Sequence, residues 1–479
     1  MPTIVFGQDR DGGALARAGA ILGAQPALVA AVLAVILAEL AASELQIEAR
    51  RALQIFLLAL VGWTLTKLDD AFVALISALA MTLLVLDEPD EMFEALGDEI
   101  IWLMLAAFVL AAATRAAGLT DRLAALALSR AGTTRQAFHA LTAVMLVSAF
   151  AAPSTSGRAA MMVPVYERVA DGRGAETHRA LALLFPTVIL LSAFASLTGA
   201  GAHALAAEIL EEIGDGEIGF LGWALYGLPF AATSSFLAAE AILRLFVPRG
   251  ERAAAFAMPA IEAAPADRRA GTVLAILGAV LLGWLTKPLH GIDETVVALI
   301  GACAVTAPGF GGVDFKSAVK GVEWPLILFM AATVVIAEGL DESGLVKAAA
   351  KAALDPLGGL GLPPLAWLLA IGLVGLLSHL VIHSRTARVA VLLPPALVAA
   401  EAAAVSTLAA MLTLVAATGF CQLLMVSAKP VALFGQLPGG SYRSGDLLRL
   451  GAVLLPLQLL LIALFAGVLW PLLGLDLAH

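Results

Sequence analysis

The chain has 479 residues, of which 61% are hydrophobic and only 14% charged, with a formal net charge of −10. Soluble domains carry roughly 25% charged residues, so this composition and a mean hydropathy of +0.95 exclude an ordinary soluble domain. The acidic balance gives no footprint for nucleic acid. The apolar runs are continuous rather than alternating, and lipid tolerates only helices or closed barrels, so the expected fold is an all-α polytopic membrane protein.

In chain order, the opening MPTIVFGQDRDGG has acidic residues and glycines where a targeting peptide has a basic patch and an apolar stretch. No cleaved segment is expected, and residues 1–45 read as an N-terminal segment with a first transmembrane helix. Uncharged runs follow at 52–66, 71–86, 180–207 and 219–239, then at 270–286, 295–313, 402–428 and 450–475. About eleven transmembrane helices fit. Cys303 and Cys421 fall in apolar runs and read as small buried hydrophobes. Acidic residues gather at 87–99 and 208–217, whereas Arg115, Arg122, Arg130 and Arg135 cluster, as do Arg244, Arg249, Arg252, Arg268 and Arg269. The positive-inside rule puts the arginine loops in the cytoplasm, giving a multi-pass protein of the inner membrane with a cytoplasmic N-terminus.

The chain repeats itself. APSTSGRAAMMVPV (152–165) has the layout of HSRTARVAVLLP (383–394): Ser154 matches Ser384, Arg158 matches Arg388 and Pro164 matches Pro394, each 230 positions on. AGLTDRLA (117–124) matches SGLVKAAA (343–350) at 226. This defines a first repeat at 46–247, a cytoplasmic linker at 248–269 and a second repeat at 270–475. An odd number of crossings separates the two motifs, so the repeats are inverted, a sequence sign of a secondary transporter with a midplane site.

Within each motif an apolar half-span, 136–152 or 364–382, runs into a short polar stretch, and a second half-span opens with hydroxyl residues. The spacing predicts two re-entrant hairpins. At their tips Ser154, Thr155 and Ser156, or Ser384 and Thr386, can cap a half-helix whose free N–H groups attract an anion. Arg158 and Arg388 fall in the first turn of these half-helices, where the macrodipole disfavours a cation, and a charge at membrane depth costs at least ~2.5 kcal/mol. Neither motif contains an acid. The alternatives are pairing with distant carboxylates, snorkelling, or a bound anionic substrate, and the last is the expectation adopted.

With these motifs the sequence resembles the divalent anion/sodium symporter family, transporters of dicarboxylates, citrate and sulfate marked by a Ser-Asn-Thr motif at each of two hairpin tips. The matching positions read Ser154-Thr155-Ser156-Gly157-Arg158 and Ser384-Arg385-Thr386-Ala387-Arg388. The resemblance implies that these residues bind substrate, that the hairpin domain moves in an elevator-like shift, and that the protein is a homodimer. It extends over most of 45–475, but both motif asparagines are replaced, by Thr155 and Arg385, in a chain without any asparagine. Where the resemblance places the broken helices of the ion sites stand Gly199, Gly201 and His203, and Ser427, Lys429 and Pro430. Glycine and proline give the backbone freedom to unwind. A cation fixed at a former sodium pocket would repel sodium, so sodium-independent transport, by exchange or proton-linked, is expected, with no cofactor. Lys429 snorkelling and His203 packed in a core are the competing readings.

His379 and His383 are four apart and conceivably a metal pair, but no third ligand is evident, and a substrate-contacting or proton-sensing His383 or plain packing are the other readings. No HExxH, GxSxG or acid pair in the spans suggests an enzyme. The function expected is therefore secondary active transport of a small divalent or multivalent anion, such as a dicarboxylate, citrate, sulfate or sulfonate. A sodium-coupled symporter of the same family and an anion channel are the alternatives.

Overall fold

The computed structural model describes residues 26–41, 45–86, 90–213, 216–256, 268–309, 312–346, 348, 362–437 and 442–478. Among these every regular element is a helix. The first-half helices are α1 Pro26–Ala41, α2 Ile47–Leu65, α3 Asp70–Leu84, α4 Glu99–Ala116, α5 Leu119–Leu128, α6 Thr134–Ser148, α7 Thr155–Ala170, α8 Ala175–Ser192, α9 Gly201–Ile213 and α10 Phe220–Phe246. The second half contains α11 Arg268–Leu285, α12 Glu294–Thr306, α13 Trp324–Glu342, α14 Pro364–Leu377, α15 Arg385–Ala402, α16 Thr407–Thr418, α17 Lys429–Gly435 and α18 Ser444–Leu464. Short helices connect some of these. Residues 1–25 of the expected N-terminal segment, 257–267 of the expected linker, and 347 and 349–361 after SGLV lie outside the described residues, as do 87–89 and 214–215 of the two acidic stretches.

Among the described residues six helices are long and apolar enough to cross a membrane: Met92–Ala116, Ala175–Ala195, Phe220–Phe246, Arg268–Leu285, Trp324–Glu342 and Ser444–Leu472. The count of about eleven is not reached by such helices, since Asp70–Leu84, Glu294–Thr306, Pro364–Leu380 and Thr407–Thr418 are apolar but shorter. Shortness has a physical reason in the second half. α14 ends at a hairpin tip and α16 at a chain break, so neither needs the ~20 residues of a full crossing.

Local chemistry starts these helices where the sequence changes character. Asp69 and Asp293, 224 positions apart, cap α3 and α12 by accepting from Ala71 N and Thr295 N at 3.0 and 2.7 Å. The indole of Trp63 donates to Asp70 O at 3.1 Å, and that of Trp284 donates to Glu294 O at 2.9 Å. The same two-residue device thus recurs in each half.

The halves interlock rather than sit side by side. α3 packs along α13, and α12 packs along α4. α9 packs against α15, while α17 packs against α7 and α8. Where α10 meets α18, Ser234 Oγ and the Gln458 side-chain amide bond each other at 3.1 and 2.8 Å, and these residues too are 224 apart. A matched pair touching itself in this way marks the axis relating the halves. Alanine-rich surfaces let helices approach closely in the apolar core, where association in lipid depends on packing rather than on exclusion of water.

Candidate functional site

Both polar stretches form tips between helices. After α6 the chain turns through 149–153, and Ser154 caps α7 with its hydroxyl accepting from Gly157 N at 3.1 Å. After α14 a single 3-10 turn, Ser378–Leu380, leads to the second tip, where Ser384 accepts from Ala387 N at 3.3 Å and caps α15.

Each half also has a break. Two 3-10 turns, Ala193–Ala195 and Leu197–Gly199, separate α8 from α9. A Cβ on Gly199 would lie 2.1 Å from Ala193 O, a backbone atom that cannot give way, so this position demands glycine; one on Gly201 would lie 2.8 Å from the Leu326 methyl groups, which would have to shift. In the second half non-helical chain runs from Gly419 to Ala428, and Lys429 and Pro430 open the short α17. Ser427 is buried and donates within this break to Cys421 O and Leu424 O, both at 2.6 Å.

The two tips and two breaks meet in one cavity of about 480 Å³. Ser154, Thr155 and Ser156 line it from the first tip, and His383, Ser384, Arg385 and Thr386 from the second. Ala200, Gly201 and Ala202 come from the first break, and Ala428, Lys429 and Pro430 from the second. Trp63 and Phe329, 5.8 Å apart between ring centroids, form an aromatic wall.

The arginines differ from expectation. Arg158 is fully buried and absent from the cavity lining. Its Nε donates to Ser148 Oγ at 3.1 Å, Nη1 to Ile189 O at 3.0 Å, and Nη2 to Met145 O and to Ser192 Oγ, the latter at 2.7 Å. These oxygens lie in the last turns of α6 and α8. The guanidinium therefore sits on helix C-termini, whose partial negative charge compensates it without a carboxylate or a substrate. Arg388, its sequence match, is also fully buried and outside the lining; it makes one bond, from Nη2 to Cys421 Sγ at 3.1 Å. Its Nε and Nη1 have no partner among the described residues. The expectation that these two guanidiniums converge on a shared pocket is thus corrected.

Arg385 is the arginine that reaches the cavity. It is 9% exposed, donates to Thr418 Oγ1 at 3.3 Å and to Val415 O at 3.1 Å, and keeps Nη1 without a partner among the described residues.

Of the remaining expected residues, Gly157 and Ala387 stand in the first turns behind the tips, and Gly199, His203 and Ser427 lie outside the lining. His203 is fully buried, its Nδ1 pairs with Ser196 O at 2.9 Å, and its ring stacks on Trp223 at 5.1 Å. His379 and His383 do not share a helix face. His379 is buried in the 3-10 turn, with Nδ1 bonded to Leu376 O at 2.8 Å and its ring against Phe420, while His383 is exposed at the tip. No group of three or more potential metal ligands forms among the described residues.

Sequence reasoning missed three acids. Asp69, Asp70 and Glu323 line the cavity from the N-termini of α3 and α13. The Asp70 carboxyl faces the Ser384 hydroxyl, with Lys429 and His383 nearby. A Cβ on Gly157 would lie 3.6 Å from Glu323 Oε1, which puts that carboxylate over the first turn of α7. The only signal in the sequence was the run Asp69-Asp70 and the lone Glu323 at the edge of apolar stretches.

A helical membrane protein of two matched halves, whose tips and breaks meet in one cavity, has the architecture on which many secondary transporters are built. The family model described as the sodium:sulfate symporter transmembrane region matches residues 23–475, and the chain belongs to that family. Its fold is similar to that in the crystal structure of the Alcanivorax borkumensis YdaH transporter, with a TM-score of 0.51, 16% identity and coverage of 85% of this chain and 98% of that one. A membrane protein of Cupriavidus necator is 25% identical over 242 residues, 47% of this chain and 46% of that protein, so the match spans about half the length of that relative.

Proposed function

We propose that the protein is a secondary active transporter of a small divalent or multivalent anion, of the dicarboxylate, citrate, sulfate or sulfonate class, moved without sodium. The observation that carries this reading is the single cavity onto which two serine-capped half-helix N-termini open together with Arg385 and Lys429. Free N–H groups at a helix start favour an anion, and a guanidinium with a spare donor offers it a charge-assisted bond. The family resemblance implies a sodium site near the second break, where Lys429 lines the cavity, and a cation there would disfavour a second one. The hairpin-bearing elements would carry the anion in an elevator-like motion, in a homodimer of the inner membrane.

Thermal stabilisation of the purified protein across an anion panel, with sodium and with potassium in its place, tests this. Stabilisation by divalent anions that is equal in both salts is the expected result. A sodium-coupled symporter is the second reading, favoured by Asp69, Asp70 and Glu323 in the same cavity, and stabilisation that appears only with sodium would establish it. A channel would give anion current with no acceleration of labelled uptake by preloading the far side.

A further inference from the structure

The cavity is not simply cationic. Its ionisable lining comprises Asp69 and Asp70 of α3, Glu323 at the start of α13, His383 and Arg385 of the second tip, and Lys429 of α17. The first tip and first break contribute hydroxyls, glycine and alanine. A dianion would therefore meet three carboxylates against two permanent cations, which is repulsive on balance.

The positions of two of these acids explain how that repulsion is resolved. Glu323 sits over the first turn of α7, at the first tip, and Asp70 faces Ser384, at the second. Each tip has one carboxylate where an anion's oxygens would bind. Glu294, the repeat counterpart of Asp70, shows what an acid at this position does: it accepts from Phe220 N, the first N–H of α10, at 3.1 Å. There it stays, with Lys287 Nζ at 3.6 Å. In the cavity an acid with the same habit would compete with the ligand for its seat. Arg385, 9% exposed and on the cavity wall, brings a guanidinium to this space, with Nη1 buried and without a partner among the described residues.

We propose that Asp70 and Glu323 are the coupling residues of transport: tethered counter-anions that occupy the two tips of the empty cavity and take up protons as the substrate anion displaces them. This rests on the anion-transport reading above and supplies its coupling ion. A protonated carboxyl changes from acceptor to donor, so each acid turns from a competitor of the anion into a hydrogen-bond partner. Each proton enters from the side that supplies the anion and leaves with it on the other, so the carboxyl is regenerated and anion and protons travel together.

Sulfate is the probe, because its charge is fixed between about pH 5 and pH 8, so protons bound on its addition bind to the protein. The full-length purified protein, weakly buffered with an indicator dye, should take up roughly one to two protons per sulfate bound, and sulfate affinity should rise up to about tenfold per linked proton for each pH unit lowered. Asp70→Asn and Glu323→Gln should each remove part of the uptake. The double variant should bind sulfate with a pH-independent affinity, tighter than wild type at about pH 8. His383→Gln tests the histidine that lines the same cavity, and uptake must persist in it. Sulfate binding to the wild type without proton uptake and with flat pH dependence overturns the proposal, a result independent of whether the variants fold. Uptake lost in His383→Gln but kept in the double variant also overturns it. Absence of divalent-anion binding at any pH, in wild type and double variant alike, sinks the functional reading itself and is distinguishable from both.

Discussion

The two hairpin tips are built to the same plan and bonded differently. At the first, Arg158 bonds through all three of its nitrogens, to Met145, Ser148, Ile189 and Ser192. At the second, Arg388 is its match in the sequence, yet Arg385 makes the equivalent contacts: Val415 and Thr418, which it bonds, lie 226 positions after Ile189 and Ser192. The seat on the C-terminus of the following helix is thus taken by a neighbouring side chain. Arg388 is left with a thiol and two orphaned donors. Equivalence of position in two repeats does not guarantee equivalence of contact. A guanidinium goes to the carbonyls it can reach first.

Arg158→Gln should have the largest effect on the protein, because it removes four buried hydrogen bonds: a loss of about 3–5 kcal/mol, read as thermal inactivation in detergent. A loss no greater than that of Arg388→Gln would show that the two tips are alike after all. Arg385→Thr, which installs the residue type found at the matching place in the first tip, should cost about 1–3 kcal/mol for its two lost bonds. It should also weaken sulfate binding roughly tenfold, by calorimetry, since a charge-assisted contact is removed. Unchanged affinity would move the anion away from the second tip.

Arg388→Met sharpens the contrast from the other side. Replacing a poorly paired buried charge by an apolar chain of similar length should be neutral or stabilising, within about 1 kcal/mol. A large loss would mean that the orphaned donors are satisfied by something held in the folded protein. His203→Phe should likewise have little effect, keeping sulfate affinity unchanged and altering stability by less than about 1.5 kcal/mol, because its ring is stacked on Trp223 away from the cavity. Lys429→Gln, at the matching break, should weaken binding instead.

Much of this architecture was legible in particular residues. Ser154 and Ser384 announced the half-helix starts, Gly199 and Gly201 the first break, and Lys429-Pro430 the restart after the second. Arg158 was legible as buried but not in its direction. A guanidinium can turn toward a ligand or toward a neighbouring helix end, and the motif is the same in either case. The acids of α3 and α13 were not legible as cavity groups, since each stands far along the chain from the tip it faces.

The sequence by itself determined that the chain is helical and membrane-embedded, and where the helices after the two tips start, because capping, breaking and apolar periodicity act within about four residues of backbone. Only the tertiary structure decided that Arg385 faces the cavity while Arg158 and Arg388 lie behind it, and that Asp70 and Glu323 sit against the tips. Those choices depend on which helix ends are packed within a side chain's reach, and the interlocking of the two halves sets that distance.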